Sequence, residues 1–189
     1  MARDPARLTR LTSLRIVLVP VVMVLILAGP RSRPAFNAAA ITFAVASVTD
    51  FLDGYLARRW SLTTNLGSFL DTTADKLLVS GTLIALVAVE RASPWVAVII
   101  VGREFVIMGL RGVVATDGSV MTPSIWGKAK FNVQALAILL ALLRPPLRVG
   151  PLLLDEWVML VAAVVTVLSA VEYLVRFASV LSSSPRHRS

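Results

Sequence analysis

Four aspartates crowd into the stretch DFLDGYLARRWSLTTNLGSFLDTTADK, which runs from Asp50 to Lys76. Asp50 and Asp53 are three residues apart and Asp71 and Asp75 four apart, so on helices each pair shares a face. The short linker RRWSLTT turns the second helix back antiparallel to the first. The four carboxylates are therefore expected to converge at one depth, a turn or two inside the edge of the flanking apolar runs. An isolated Asp at the centre of a membrane span costs about 2.5–3.5 kcal/mol, and four together also repel unless positive charge lies between them. An all-oxygen donor set without His or Cys favours a hard cation, Mg²⁺ or Mn²⁺, and four carboxylates suit two ions better than one. Such a pair, about 4 Å apart, clamps a phosphoryl group under attack. Gly54, Ala57 and Gly67 keep the helix surfaces near the acids small, so that a bulky ligand can approach the backbone. Arg58 is placed to grip phosphate oxygens bidentately. One acidic pair alone would read as a helix cap or a solvated interfacial group; four converging with small residues on their faces read as a site.

The elements that must position these acids are membrane spans. Of 189 residues 57% are hydrophobic and the mean hydropathy is +0.80, above what a soluble domain carries. The apolar residues come in blocks of about twenty, the length that crosses roughly 30 Å of hydrocarbon. The expected fold is all-α, a polytopic integral membrane bundle of six transmembrane helices. The spans run about Leu11–Ala28, Ala35–Arg58, Asn65–Val89, Pro94–Ala115, Ile125–Leu143 and Leu152–Leu181, separated by GPRSRP, RASP, TDGSVMTPS and RPPLRVGP. A short interfacial helix over Arg3–Arg10 is expected ahead of the first span. The basic-then-apolar N-terminus imitates a signal peptide, but AGPRSRP is a poor cleavage site, so the first span is expected to be retained. One membrane domain covers residues 1–181, and residues 182–189 form a disordered tail.

The net charge of +8 comes from basic residues that flank apolar blocks instead of forming a stripe with interleaved aromatics. Anionic headgroups and phosphorylated substrates, not nucleic acid, are the expected partners. Twelve of the nineteen Lys and Arg fall at one set of span ends and five at the other. The richer side faces the cytoplasm, which puts both termini and the four aspartates on that side of the cell membrane. Trp60, Trp95, Trp126 and Trp157 fall at span ends as an interfacial belt. Cysteine is absent, which excludes thiolate metal sites, and the single histidine, His187, lies in the tail, which argues against histidine-based phosphoryl transfer.

A second set of charges lies apart from the acids. Arg103, Glu104 and Arg111 occupy the fourth span, and Lys128 and Lys130 open the fifth. Arg103 and Arg111 are expected on roughly one face. An Arg deep in a span needs an internal partner, and Glu104 or a substrate phosphate would serve. Lys76 is read as balancing the acidic cluster, Thr12 and Arg15 as lying near a nucleotide, and Glu172 as pairing with Arg176.

The string Asp50-x2-Asp53-Gly54-x2-Ala57-Arg58-x8-Gly67-x3-Asp71-x3-Asp75 resembles, position for position, the signature of the CDP-alcohol phosphotransferases. LTSLRIVLVP, GREFVIMGLR and SIWGKAK are similar to the branch of that family that uses glycerol 3-phosphate as acceptor, although Thr72 stands where that branch has proline and Phe131 where it has threonine. The resemblance implies that Asp50, Asp53, Asp71 and Asp75 hold two divalent cations. It implies that the CDP moiety lies against Asp53, Gly54, Ala57, Arg58 and Gly67, and that Asp75 is the general base. Arg103, Arg111, Lys128 and Lys130 are then the candidate ligands of the acceptor phosphate. The implied reaction transfers a phosphatidyl group from CDP-diacylglycerol to glycerol 3-phosphate, releasing CMP, in a homodimer. Inositol phosphate or phosphatidylglycerol are the rival acceptors, and the cation set favours a phosphorylated one. A divalent-cation transporter would instead carry its acids near the midplane on discontinuous helices with repeat symmetry, and no repeat is visible. A scaffold that only binds anionic lipid would be indifferent to replacement of Asp75.

Overall fold

The computed structural model describes the backbone of residues 5–60, 65–116 and 125–183, and the side chains of residues 15–49, 73–114 and 130–178. Six helices fill the described chain: α1 (Pro5–Ala28), α2 (Arg33–Trp60), α3 (Asn65–Ala88), α4 (Pro94–Thr116), α5 (Ile125–Leu143) and α6 (Leu154–Ser183). Their bounds follow the breakers in the sequence. Pro5 and Pro94 begin helices at a position where a missing N–H costs nothing. A positive φ at Glu90 and another at Arg144 lie just past the ends of α3 and α5. Even the shortest, α5 at 19 residues, is about 28 Å long at 1.5 Å per residue.

One expectation is corrected. No separate helix covers Arg3–Arg10; from Pro5 onward that segment is continuous with α1. Residues 6–19 contain neither glycine nor proline, so nothing interrupts the hydrogen-bond ladder between the basic segment and the apolar one.

The helices close into a ring in the order α1, α3, α4, α6, α5, α2 and back to α1, with α3 and α5 touching across it. The most extensive packing is α1 on α3 and α5 on α6. At the first of these, Gly81 lets α1 approach closely: a Cβ there would lie 2.8 Å from Val19 Cγ1. The core between the helices is formed by residues such as Val22, Ile26, Phe43, Leu78, Leu83, Ile100, Ile138 and Leu142. The outer faces are also apolar: Val24, Ile41, Val98, Val164 and Val175 are all more than half exposed. Among the described residues, Leu154–Ala178 of α6 is long and apolar enough to cross a membrane, and Lys130–Leu143 is a shorter apolar helix.

At the end of the ring where α3 meets α4, Arg91 fastens three elements. Its guanidinium donates to the carbonyls of Ala141 (3.1 Å) and Leu142 (2.6 Å), two of the orphan acceptors at the end of α5. The same group stacks 3.4 Å above the Phe36 ring of α2. Nearby, a two-residue antiparallel pairing of β1 (Arg148–Val149) with β2 (Leu152–Leu153) turns at Gly150, whose φ of 64° suits a tight hairpin. Trp157 Nε1 donates to Val149 O at 2.8 Å and holds this hairpin against α6.

Replacing Arg91 by Ala leaves two carbonyls without a donor and removes the cation–π contact. Stability is expected to fall by about 2–3 kcal/mol, read as a lower thermal midpoint of the detergent-solubilised protein. Arg91→Lys, which keeps the charge but not the planar fork, should recover only part of it.

Candidate functional site

The acids that open the sequence argument lie on α2 and α3. The backbone places Asp50 and Asp53 in the last turns of α2 and Asp71 and Asp75 in the first turns of α3. The side chains of Asp50, Asp53, Gly54, Ala57, Arg58, Gly67 and Asp71 lie outside the described residues, as does that of Lys128. Asp75 is half-buried and has a polar partner, as have Arg15 of α1 and Thr73 of α3. Arg15 is 3% exposed, so this basic side chain of α1 is turned into the bundle. Among the described residues no three His, Cys, Asp or Glu side chains gather as a metal cluster.

The second charge set is assembled around one carboxylate. Glu104, buried in α4, accepts a hydrogen bond from Lys130 Nζ of α5 through Oε1. The same oxygen lies 3.4 Å from Arg103 Nη1, and Oε2 lies 3.7 Å from Lys76 Nζ of α3. Arg103 reaches a fourth helix, donating from Nη2 to Ser169 Oγ of α6 at 2.8 Å. The internal partner expected for an Arg within a span is thus present twice. Arg111 does not share this environment: it is exposed. Eight residues make 2.2 turns, which leaves it about 80° round the helix from Arg103. The two therefore share a broad face of α4 but differ in burial.

Sequence reasoning underrated Lys76, which forms an ion pair across to α4 as well as standing beside Asp75, and it missed Ser169, Gln134 and Thr166. Gln134, one turn beyond Lys130, donates to Thr166 Oγ1 at 2.8 Å, and that hydroxyl donates to Ala162 O at 2.6 Å. The signal was available in α6: Thr166, Ser169 and Tyr173 recur at i, i+3 and i+7 in an otherwise apolar run, marking one polar stripe. All three are buried. Glu172 and Arg176 pair as expected, at 2.6 Å. Trp95 and Trp157 are exposed at helix ends, while the side chains of Trp60 and Trp126 lie outside the described residues. A cavity of about 510 Å³ lined by Val87, Glu90, Arg91, Leu152, Glu156 and Leu160 opens at the other end of α3, away from Asp75.

Three helices therefore bring cations to one buried carboxylate, and a fourth holds one of those cations through Ser169, next to a helix pair that carries four aspartates in a fixed motif. Residues 9–168 match the model of the CDP-alcohol phosphatidyltransferase family, and the chain belongs to that family. It is 41% identical over 175 residues to a CDP-diacylglycerol–glycerol-3-phosphate 3-phosphatidyltransferase of Bacillus subtilis (strain 168), an alignment spanning 87% of this chain and 91% of that protein. Proteins of the same name from Pseudomonas fluorescens and Haemophilus influenzae are 37% and 35% identical, again over 87% of this chain and over 86% and 89% of their own lengths.

The Gln134–Thr166 bond sets the rotation of α5 against α6 one turn from Lys130. Thr166→Val strands the buried Gln134 amide and should cost about 1–3 kcal/mol. The double change to Thr166→Val with Gln134→Leu should recover much of that loss, as thermal unfolding in detergent would show.

Proposed function

We propose that the chain is an integral membrane enzyme that transfers a phosphatidyl group from CDP-diacylglycerol to glycerol 3-phosphate and releases CMP. The observation that carries this reading is the near full-length similarity to three relatives whose names specify that reaction. The buried grouping of Lys76, Arg103 and Lys130 supports a phosphorylated acceptor, since a neutral one would leave excess positive charge uncompensated. The six helices are read as six spans, supported by their lengths and apolar outer faces. Both termini face the cytoplasm on the Lys and Arg asymmetry. A homodimer is the assembly that the family resemblance favours.

Asp50, Asp53, Asp71 and Asp75 are the residues that would hold two divalent cations, Mg²⁺ or Mn²⁺. Their donor chemistry fits: four hard carboxylates, with no thiolate in the chain and its single imidazole in the tail. When bound, such cations neutralise the diphosphate and acidify the acceptor hydroxyl. Asp53, Gly54, Ala57, Arg58 and Gly67 would seat the CDP moiety, the small residues admitting it to the helix backbone and Arg58 holding a phosphate oxygen. Asp75 would accept the proton of the acceptor hydroxyl as that oxygen bonds to the β-phosphorus of CDP-diacylglycerol. The bond from that phosphorus to the bridging oxygen breaks, and CMP leaves with the electron pair. Arg103 and Lys130 would bind the acceptor phosphate, with Arg111 and Lys128 nearer the cytoplasmic rim.

Purified protein given CDP-diacylglycerol, Mg²⁺ or Mn²⁺ and a panel of acceptors should release CMP fastest with glycerol 3-phosphate. Faster release with inositol phosphate or phosphatidylglycerol would replace the acceptor, and no release with any would remove the reading. Asp75→Asn should lower turnover by about 10²–10⁴-fold. Chelation should abolish CMP release and added Mg²⁺ or Mn²⁺ restore it; undiminished release under chelation would count against the cation role.

A further inference from the structure

Glu104 is a carboxylate in a place where the proposed chemistry asks only for cations. It is 8% exposed and lies against Lys76, Arg103 and Lys130, which come from three different helices. Among the described side chains in contact with Glu104, three positive groups and one negative leave +2. A buried structural ion pair normally closes near neutrality, because excess charge in a low-dielectric setting is costly. A phosphate monoester carries about −1.5 to −2 at neutral pH, close to the missing charge. A donor is also left over: Arg103 Nε is buried without a hydrogen-bond partner.

We infer that Glu104 is a positioning residue for the acceptor phosphate. It gathers Lys76, Arg103 and Lys130 into one preorganised anion subsite, of which Lys76 is a third cation. This rests on the acceptor reading above and deepens it. Without a carboxylate between them, two flexible ammonium groups and a guanidinium would repel and disperse, and each would have to be drawn back when the anion arrives. With it, they are already convergent, and Ser169 fixes the fork of Arg103 from the far side. One carboxylate is enough to hold three cations together and too little to neutralise them. Lys76 also follows Asp75 directly in α3, so consecutive residues address two parts of one small acceptor: its phosphate and its attacking hydroxyl.

The test compares the wild type with Glu104→Gln and Glu104→Asp in detergent micelles, reading kcat and the KM of each substrate separately. Glu104→Gln should raise KM for glycerol 3-phosphate about tenfold or more, leave KM for CDP-diacylglycerol within about twofold, and weaken competitive inhibition by inorganic phosphate by a similar factor. Glu104→Asp should recover most of the loss. A fall in kcat with both KM values intact, or an equal rise in both, would overturn the assignment and make Glu104 a structural group. If Glu104→Gln loses its thermal transition, Lys76→Met carries the test, with the same split expected and an unchanged KM for glycerol 3-phosphate counting against it. Wild-type protein that releases CMP only with an unphosphorylated acceptor would overturn the acceptor reading and this assignment with it. Wild-type preference for glycerol 3-phosphate with unaltered variants overturns this assignment alone.

Discussion

A charge carried into an apolar helical bundle has to be matched inside it, and that constraint decides how this chain packs. The residues between the two ends of the ring are almost wholly apolar, with Phe43, Leu83, Ile100 and Ile138 fully buried. Helices this uniformly apolar have little to fix their rotation, because one greasy face packs about as well as another. The buried ion pairs and side-chain hydrogen bonds supply the missing phase. Lys130 can reach Glu104 only if α5 turns that side inward, and Arg103 can reach Ser169 only if α4 and α6 present matching faces. The polar contacts thus act less as a source of net stability than as the term that selects one arrangement among near-equals.

The ring order gives that selection a functional shape. Contact between α3 and α5 across the ring divides it into two groups of four helices that share this pair. One group includes α1 and α2; the other includes α4 and α6. The acidic motif belongs to α2 and α3, and the cations around Glu104 belong to α3, α4 and α5 with support from α6. Helix α3 therefore serves both. Adjacent residues on a helix diverge by about 100°, so Asp75 and Lys76 address neighbouring sectors without any bend in the chain. The close seat of α1 at Gly81 braces the same helix from behind.

Much of this was legible in the sequence, and most of what was not shares a cause. Helix ends followed from Pro94, from the breakers around Gly29 and from the polar opening of the fifth span. The Glu172–Arg176 pair followed from its one-turn spacing. A partner for Arg103 followed from the cost of a bare guanidinium in hydrocarbon. What could not be read were contacts between helices distant in sequence: Lys76 with Glu104, Arg103 with Ser169, Arg91 with the end of α5. Each depends on how far a helix is rotated about its axis, and an all-round apolar helix does not record that angle. The continuity of α1 was a different kind of miss. The change from basic to apolar residues near Leu11 looks like a boundary in composition, but backbone hydrogen bonding responds to breakers, and none lies there.

The two ends of the bundle show how charge balance separates a structural cluster from a ligand subsite. At the end away from the acidic motif, Arg144 lies 3.9 Å from Asp155 and 3.7 Å from Glu156, and Arg91 adds a second cation already engaged with two carbonyls and a ring. Arg144 there faces two carboxylates, and Arg91 spends Nη1 on the carbonyls of Ala141 and Leu142. Near the acidic motif, three helices bring three cations to a single carboxylate, and Arg103 keeps a spare donor. Folding alone would not favour that surplus, since an apolar residue in place of Lys76 or Lys130 would relieve it. A surplus held beside the acidic motif on α3 suits an anionic ligand, and its magnitude matches one phosphate monoester better than a neutral polyol.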